Sequence, residues 1–401
     1  MNYSKFFQDS INKLKEQNNY REFINISRIC GKFPFAIDNK SKEEVIVWCS
    51  NDYLGLSQNK DSIFQVKETL DFYGIGSGGT RNISGTNNPL VELEKAMADL
   101  HKKEMAIVFS SGYVANESAL KALSKIIPNL VIFSDEKNHA SIIYGIKNSG
   151  LKKHIFKHND IDDLENLLKQ YDKTQPKLII FESVYSMDGD FGDMAEIINL
   201  AKKYNCLTYV DEVHGVGLYG DDGSGISGKL NLADDLDIIQ GTFGKAFGGI
   251  GGYIAGSKTI IDAIRSYAPG FIFTTAMPPM IAAGILNNVR YSRNNNNLRI
   301  NHKEKVEKLK SELKKAGIKI MQNQSHIVCV IIGDSKKCKE ISELLLQDYQ
   351  IYIQHINFPT VDIGTERLRI IPTPLHSDEM ILDLVKALKE SFAKLNIEQN
   401  G

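Results

Sequence analysis

Between residues 105 and 256, short apolar, β-branched runs alternate with stretches whose apolar residues recur every three or four positions, and this alternation constrains the fold most. Repeated switching between the two periods predicts an α/β domain, a mostly parallel sheet wrapped by helices. Seven strands are predicted: Met105 to Ser110, Leu130 to Ser134, Lys153 to Phe156, Lys177 to Glu182, Leu207 to Asp211, Leu236 to Gln240 and Gly252 to Gly256. Helical stretches such as Val91 to His101, Asp160 to Tyr171 and Asp193 to Tyr204 fall between them. The Asn294 to Asn297 tetrad is the one low-complexity stretch. The charged helix around Lys303 to Lys315 and strands near His326 to Ile332 and Arg367 to Ile371 follow it. The expected organisation is an N-terminal helix and β-arm over residues 1–50, a large domain over 51–293, and a smaller C-terminal α+β domain over 294–401. The arm either completes a dimer or packs as a plain terminus.

With 401 residues the chain is expected to form two or three structural units and is long enough to bury an active site. A formal net charge of -1 gives no field that would attract nucleic acid or acidic lipid, so partners are sought in pockets. The five cysteines, Cys30, Cys49, Cys206, Cys329 and Cys338, are scattered and never spaced as Cys-x-x-Cys, which argues against a disulfide framework and a structural zinc site. No metal is expected. Residues 1–21 read as neither secretory signal nor transit peptide, and no run reaches the length of a membrane span. A cytoplasmic protein, or an organelle protein already stripped of its presequence, is expected.

Gly241-Thr242-Phe243-Gly244-Lys245-Ala246-Phe247-Gly248-Gly249 places a lysine in a glycine-rich loop after a predicted strand. A phosphate-binding P-loop is the obvious rival, but Ile239 stands where its first glycine belongs and Ala246 where a magnesium-binding hydroxyl belongs. Apolar and glycine neighbours leave Lys245 poorly solvated, the setting that frees a lysine amine to attack an aldehyde. Asp211, in Asp211-Glu212-Val213-His214, stands at the carboxyl end of another predicted strand, where open α/β sheets place ligands. A strand-end aspartate alone is commonly a helix cap. With Lys245 one strand later, it reads as the acid that keeps a pyridine nitrogen protonated, so that the ring can absorb an electron pair. The cofactor so implied is pyridoxal 5'-phosphate. His139, in Asn138-His139-Ala140-Ser141, is placed to stack on such a ring, although a lone histidine is more often a cap. Ser111, Gly112 and Tyr113 end a strand and open a helix, a natural phosphate site, to which Thr242 adds a hydroxyl.

These motifs, with Asn51-Asp52-Tyr53-Leu54-Gly55 and Ser186-Met187-Asp188-Gly189-Asp190, resemble the α-oxoamine synthases, a family of fold-type I pyridoxal-phosphate transferases. The resemblance runs from about Tyr20 to His376. Further segments, Gly78 to Thr86, Glu182 to Met187, Gly270 to Thr275, and Ile356 to Thr360 through Arg367 to Arg369, look like the branch that condenses glycine with succinyl-coenzyme A. Another acyltransferase of the family, joining glycine to acetyl-coenzyme A, is the alternative.

The resemblance implies a homodimer with active sites at the subunit interface, and a role for each matching residue. Lys245, His214, Asp211 and His139 are the expected catalytic set. Ser186 and His214 reach the ring hydroxyl, and Thr274 and Thr275 reach the phosphate from the partner subunit. Arg369 and Asn51 grip the glycine carboxylate, since a guanidinium fork fits a carboxylate with two hydrogen bonds. Arg21, Thr80, Asn82 and Ile83 take the succinyl group, and Ser134 and Lys153 contact coenzyme A. Residues 357–364 form a lid whose Thr360 touches the succinyl carboxylate. Leu90, Phe243 and Gly215 depart from the usual histidine, leucine and alanine of relatives and are expected to alter packing.

Overall fold

A computed structural model describes residues 1–397 of the chain, so the last four positions of the expected C-terminal domain lie outside the described residues. The seven strands expected of the large domain are present: β1 (Met105–Phe109), β2 (Val131–Asp135), β3 (Lys152–Phe156), β4 (Lys177–Glu182), β5 (Leu207–Asp211), β6 (Ile238–Thr242) and β7 (Gly252–Gly256). Their ends fall within two residues of the predicted positions. They form one sheet in the order β1-β7-β6-β5-β4-β2-β3. Pairing is parallel from β6 to β3, and only β7 runs against its neighbours, β1 and β6.

Both faces of this sheet are covered, which explains why its strands read as near-continuous apolar runs. On one face Ile107, Ile132, Leu178, Ile180, Tyr209 and Ile254 pack on Ala115, Ala119, Leu120 and Leu123 of helix Gly112–Ile126. On the other, Ala106, Val108, Tyr253 and Ala255 meet Leu90, Leu93 and Met97 of helix Asn88–Leu100. Alternate residues of β1 and β7 thus serve opposite cores, as a period of two requires. Because the strands are parallel, Glu182 pairs with Asp211, and Asp211 with Gln240, so β4, β5 and β6 deliver their following loops to a single sheet edge.

The described chain divides into two compact units. One, Asp52–Ser186 with Asp190–Ile300, holds the large sheet. The other joins Met1–Asn51, Met187–Gly189 and the described residues from Asn301 onward. In this second unit, strands Ile26–Arg28, Phe35–Asp38 and Glu44–Val47 pair antiparallel, and Ile351–Tyr352 adds to Glu44–Val47 in parallel. The segment read from sequence as a separate arm therefore shares a sheet with residues near 350. Strands Val328–Ile331, Arg367–Ile370 and His355–Ile356 make a second sheet. Trp48, Leu309, Ile341, Leu368, Ile370 and Leu384 lie in its core. The asparagine tetrad provides the break at Asn295 between helices Pro279–Asn294 and Asn296–Lys315.

Candidate active site

Asp211 ends β5 buried, and Lys245 follows β6 on the neighbouring parallel strand. Lys245 Nζ lies 2.5 Å from His214 Nε2, and His214 Nδ1 lies 2.7 Å from the hydroxyl of buried Tyr53. With Nε2 accepting from the lysine, a neutral ring carries its proton on Nδ1 and donates it to Tyr53. Two side chains, His214 and Tyr53 behind it, therefore hold the amine in one direction.

The Asp211 carboxylate accepts from Asn116 Nδ2 and from the backbone N–H of Val213, each at 2.9 Å. Burial pushes its pKa up, against these two donors and the charge of Lys245. Both hydrogen-bond donors are neutral, so a protonated ring nitrogen would supply a positively charged hydrogen-bond partner for this buried carboxylate. Glu182, at the end of β4, accepts from the backbone N–H of His139 at 2.5 Å. Its pKa is pushed well up, first by burial and then by the charge of Asp211.

His139 precedes helix Ala140–Ser149, and its Nδ1 accepts from the backbone N–H of Ser141 at 3.2 Å. Burial lowers its pKa, Asp211 opposes, and Lys245 adds to the lowering, which favours the neutral ring. Ser111 caps helix Gly112–Ile126 by accepting from Val114 N–H at 3.1 Å. A Cβ on Gly112 would lie 3.2 Å from Gln240 Nε2 and 3.4 Å from Thr242 Cβ, so a glycine lets this helix start close to β6. The resulting N-terminus, with the Thr242 hydroxyl opposite, suits a phosphate. Together the acid, the lysine, the neutral histidine and the helix start fit pyridoxal phosphate.

Ser186 sits half-buried after β4, in a loop closed by the Val184 and Phe191 bridge. Asp190, in that same loop, bonds His158 at 2.6 Å, and His158 also bonds Asp135 at 2.9 Å. Burial alone would lower this imidazole, but hydrogen bonds and charge from both aspartates override it and raise the pKa from 6.5 to about 9. A group raised on folding stabilises fully below its unfolded pKa and loses that stabilisation as pH rises through the folded value. The protein is therefore expected to lose up to about 3 kcal/mol between pH 6.5 and 9 from this group, and His158→Asn to remove that slope. Urea unfolding at several pH values measures it, and equal slopes in both proteins would count against the assignment.

Thr80 and Thr275 form an antiparallel bridge, and Ala276 N–H donates to Gly79 O at 3.0 Å, so the loops carrying Thr80 and Thr274 are tied together. Thr80 Oγ1 donates to Asn82 Oδ1 at 2.8 Å, while Asn82 and Ile83 are exposed. Ser134 is buried in β2, accepting from Asn138 Nδ2 at 2.8 Å, and Lys153 is exposed on the edge strand β3. In the second unit, Arg369 Nη1 donates to Asn51 Oδ1 at 3.0 Å, and the Arg369 side chain is buried. Arg21 Nη2 donates to Thr360 Oγ1 at 2.9 Å beside a cleft of about 380 Å³ lined by Asn19, Arg21, Phe23, His355, Asn357 and Thr360.

Of the departures, Gly215 has a direct structural reason. A Cβ there would lie 2.2 Å from Glu212 Oε2, a buried carboxylate bonded to Ser183 Oγ and to the N–H groups of Ile226 and Ser227. Leu90 and Phe243 are simply buried, Phe243 with its ring 5.1 Å from that of Tyr253. Sequence reasoning gave no role to Tyr53, Glu182 or Asn116. The available signal for Asn116 was a polar residue on the apolar stripe formed by Ala115, Ala119 and Leu123.

Residues 43–388 match the aminotransferase class I and II family. A 5-aminolevulinate synthase of Rickettsia conorii is 52% identical, over 99% of this chain and 95% of its own length. One of Bradyrhizobium diazoefficiens is 48% identical, over 99% of this chain and 98% of its own. Among solved structures, a serine palmitoyltransferase from S. paucimobilis superposes with a TM-score of 0.90 at 27% identity, covering 98% of this chain and 99% of that one.

Proposed function

The chain belongs to the 5-aminolevulinate synthase family of fold-type I pyridoxal-phosphate transferases, and we propose that Lys245 and Arg369 carry its chemistry, one as the base and the other as the substrate anchor. The reaction is a decarboxylating condensation of glycine with succinyl-coenzyme A that yields 5-aminolevulinate, coenzyme A and carbon dioxide, the entry to tetrapyrrole synthesis. Pyridoxal phosphate, when bound, supplies the sink for the electron pair released at the α-carbon of glycine.

The chain's own residues then have separable tasks. Asp211 keeps the ring nitrogen protonated. Lys245 holds the cofactor between turnovers and moves the α-proton on its Nζ, with His214 and Tyr53 fixing the amine. His139 covers the ring face as a neutral imidazole, and Ser186 reaches the ring hydroxyl. Ser111, Gly112, Tyr113 and Thr242 hold the phosphate, joined by Thr274 and Thr275 of a second copy. Arg369 with Asn51 binds the glycine carboxylate. Arg21 and Thr360 are assigned to the succinyl carboxylate, Thr80, Asn82 and Ile83 to the acyl chain, and Ser134 and Lys153 to coenzyme A.

A homodimer is supported by Ile75, Ile83 and Phe273, which are 81%, 66% and 81% exposed beside Thr80 and Thr275. The cysteines are free, which supports a reducing, cytoplasmic setting. Among the described residues no helix is long and apolar enough to cross a membrane.

The observation that carries the reading is the Lys245 amine held 2.5 Å from His214 on the sheet edge that also carries Asp211. Donor choice rests on Arg21. Arg21→Ala is expected to raise the KM for succinyl-coenzyme A about 10- to 100-fold, the worth of a charged hydrogen bond, and to leave turnover with acetyl-coenzyme A unchanged. Steady-state rates with the two donors side by side measure this. An equal loss with both would remove Arg21 from the succinyl site.

A further inference from the structure

We propose that Asn116 is a positioning residue that ties Asp211 to His139 through a directed chain of hydrogen bonds, so that the acid under the ring nitrogen and the imidazole on the ring face are set together. The inference rests on the cofactor reading above and goes beyond it.

Asn116 lies fully buried in helix Gly112–Ile126, and each polar atom of its amide has a defined partner. Its Oδ1 accepts from the hydroxyl of Tyr209 at 2.8 Å. Its Nδ2 donates to Asp211 Oδ2 at 2.9 Å and to Ser141 Oγ at 2.9 Å. Both amide protons are used, and a flipped amide would aim its oxygen at the Asp211 carboxylate, so only one orientation is satisfied.

The direction then propagates. Ser141 Oγ accepts from Asn116, so its own proton points along the remaining contact, 2.8 Å to His139 Nδ1. The backbone N–H of Ser141 already donates to that nitrogen. With donors converging on it, Nδ1 bears no proton, and the ring proton of His139 sits on Nε2. The charged and titratable groups around His139 are Asp211, Lys245 and Glu182, whose carboxyl oxygen takes the His139 backbone N–H. A neutral ring avoids placing a second cation against a protonated pyridine. Tyr209, Asn116 and Ser141 come from β5 and two helices, so the chain also holds those elements in register at the site.

The test uses the full-length holoprotein and the variants Asn116→Leu, Ser141→Ala and the double. Affinity for pyridoxal phosphate is read from the visible absorbance of bound cofactor, the His139 tautomer from imidazole ¹⁵N shifts, and folding from thermal melts. Each single variant is expected to weaken cofactor binding about 10-fold, on the scale of one hydrogen bond to a charged group, and the double well short of the roughly 100-fold product. Wild-type protein is expected to show the His139 proton on Nε2. If Asn116→Leu fails to fold, Ser141→Ala and the wild-type ¹⁵N shifts still decide. A proton on Nδ1, multiplying losses in the double, or unchanged binding in Ser141→Ala each overturns the proposal. Wild-type protein that takes up no pyridoxal phosphate overturns the cofactor reading as well, whereas normal uptake with multiplying losses overturns this inference alone.

Discussion

Lys245→Ala is expected to lower kcat by about 10⁴-fold or more, because it removes both the group that holds the cofactor and the general base for the α-proton. No neighbour replaces it. His214 approaches the amine through Nε2, but an imidazole cannot supply the primary amine that holds the cofactor. The α-proton of glycine should also stop exchanging with deuterated solvent in the absence of any acyl donor, which isolates proton transfer from condensation. Proton NMR of glycine in heavy water measures the exchange. Wild-type rates of exchange in Lys245→Ala would mean that another residue is the base. Melting close to wild type is expected, since the lysine sits in the cofactor loop outside the apolar clusters of the sheet.

Asp211→Asn is the second large effect. The substitution keeps the shape and exchanges a negative charge for a neutral amide, so it removes the partner of the ring nitrogen, and its NH2 must face one of the two donors, Asn116 Nδ2 or Val213 N–H, that the carboxylate accepts from. A loss of about 10³-fold in kcat is expected, equivalent to about 4 kcal/mol of transition-state stabilisation. The apoprotein should move the other way in stability. Burial already raises the pKa of the Asp211 carboxyl, so removing the charge relieves a desolvation cost when no cofactor is present. A variant that gains thermal stability as apoprotein while losing turnover would show that this aspartate is kept for chemistry. Near wild-type turnover would contradict its role.

Asp211 and Lys245 were legible from sequence because both follow buried β-branched strands in a parallel sheet, and in such a sheet the carboxyl ends of strands share an edge. The strands themselves were legible for the same reason: covered faces force apolar runs with few interruptions. Arg21 and Thr360, separated by 339 positions, meet through the folding of the second unit, and no local pattern announces that pairing. Nor does any local pattern announce the grouping of Met187–Gly189 with the second unit, where Arg367 Nη1 donates to Asp188 Oδ1 at 2.6 Å and to Met187 O at 2.9 Å. Asn116 was hidden differently. Its helix was readable in outline, but its task depends on which strand end and which helix start its amide faces, and that is fixed by packing across the sheet.

Everything above turns on whether this chain joins glycine to a dicarboxylic acyl donor. Purified holoprotein given glycine with either succinyl-coenzyme A or acetyl-coenzyme A, and product identified by mass, tests it most directly. The expected result is 5-aminolevulinate with equimolar release of coenzyme A and carbon dioxide, and a kcat/KM for the succinyl donor well above that for the acetyl donor. A preference for acetyl-coenzyme A, or no 5-aminolevulinate from protein that has bound pyridoxal phosphate, would contradict it.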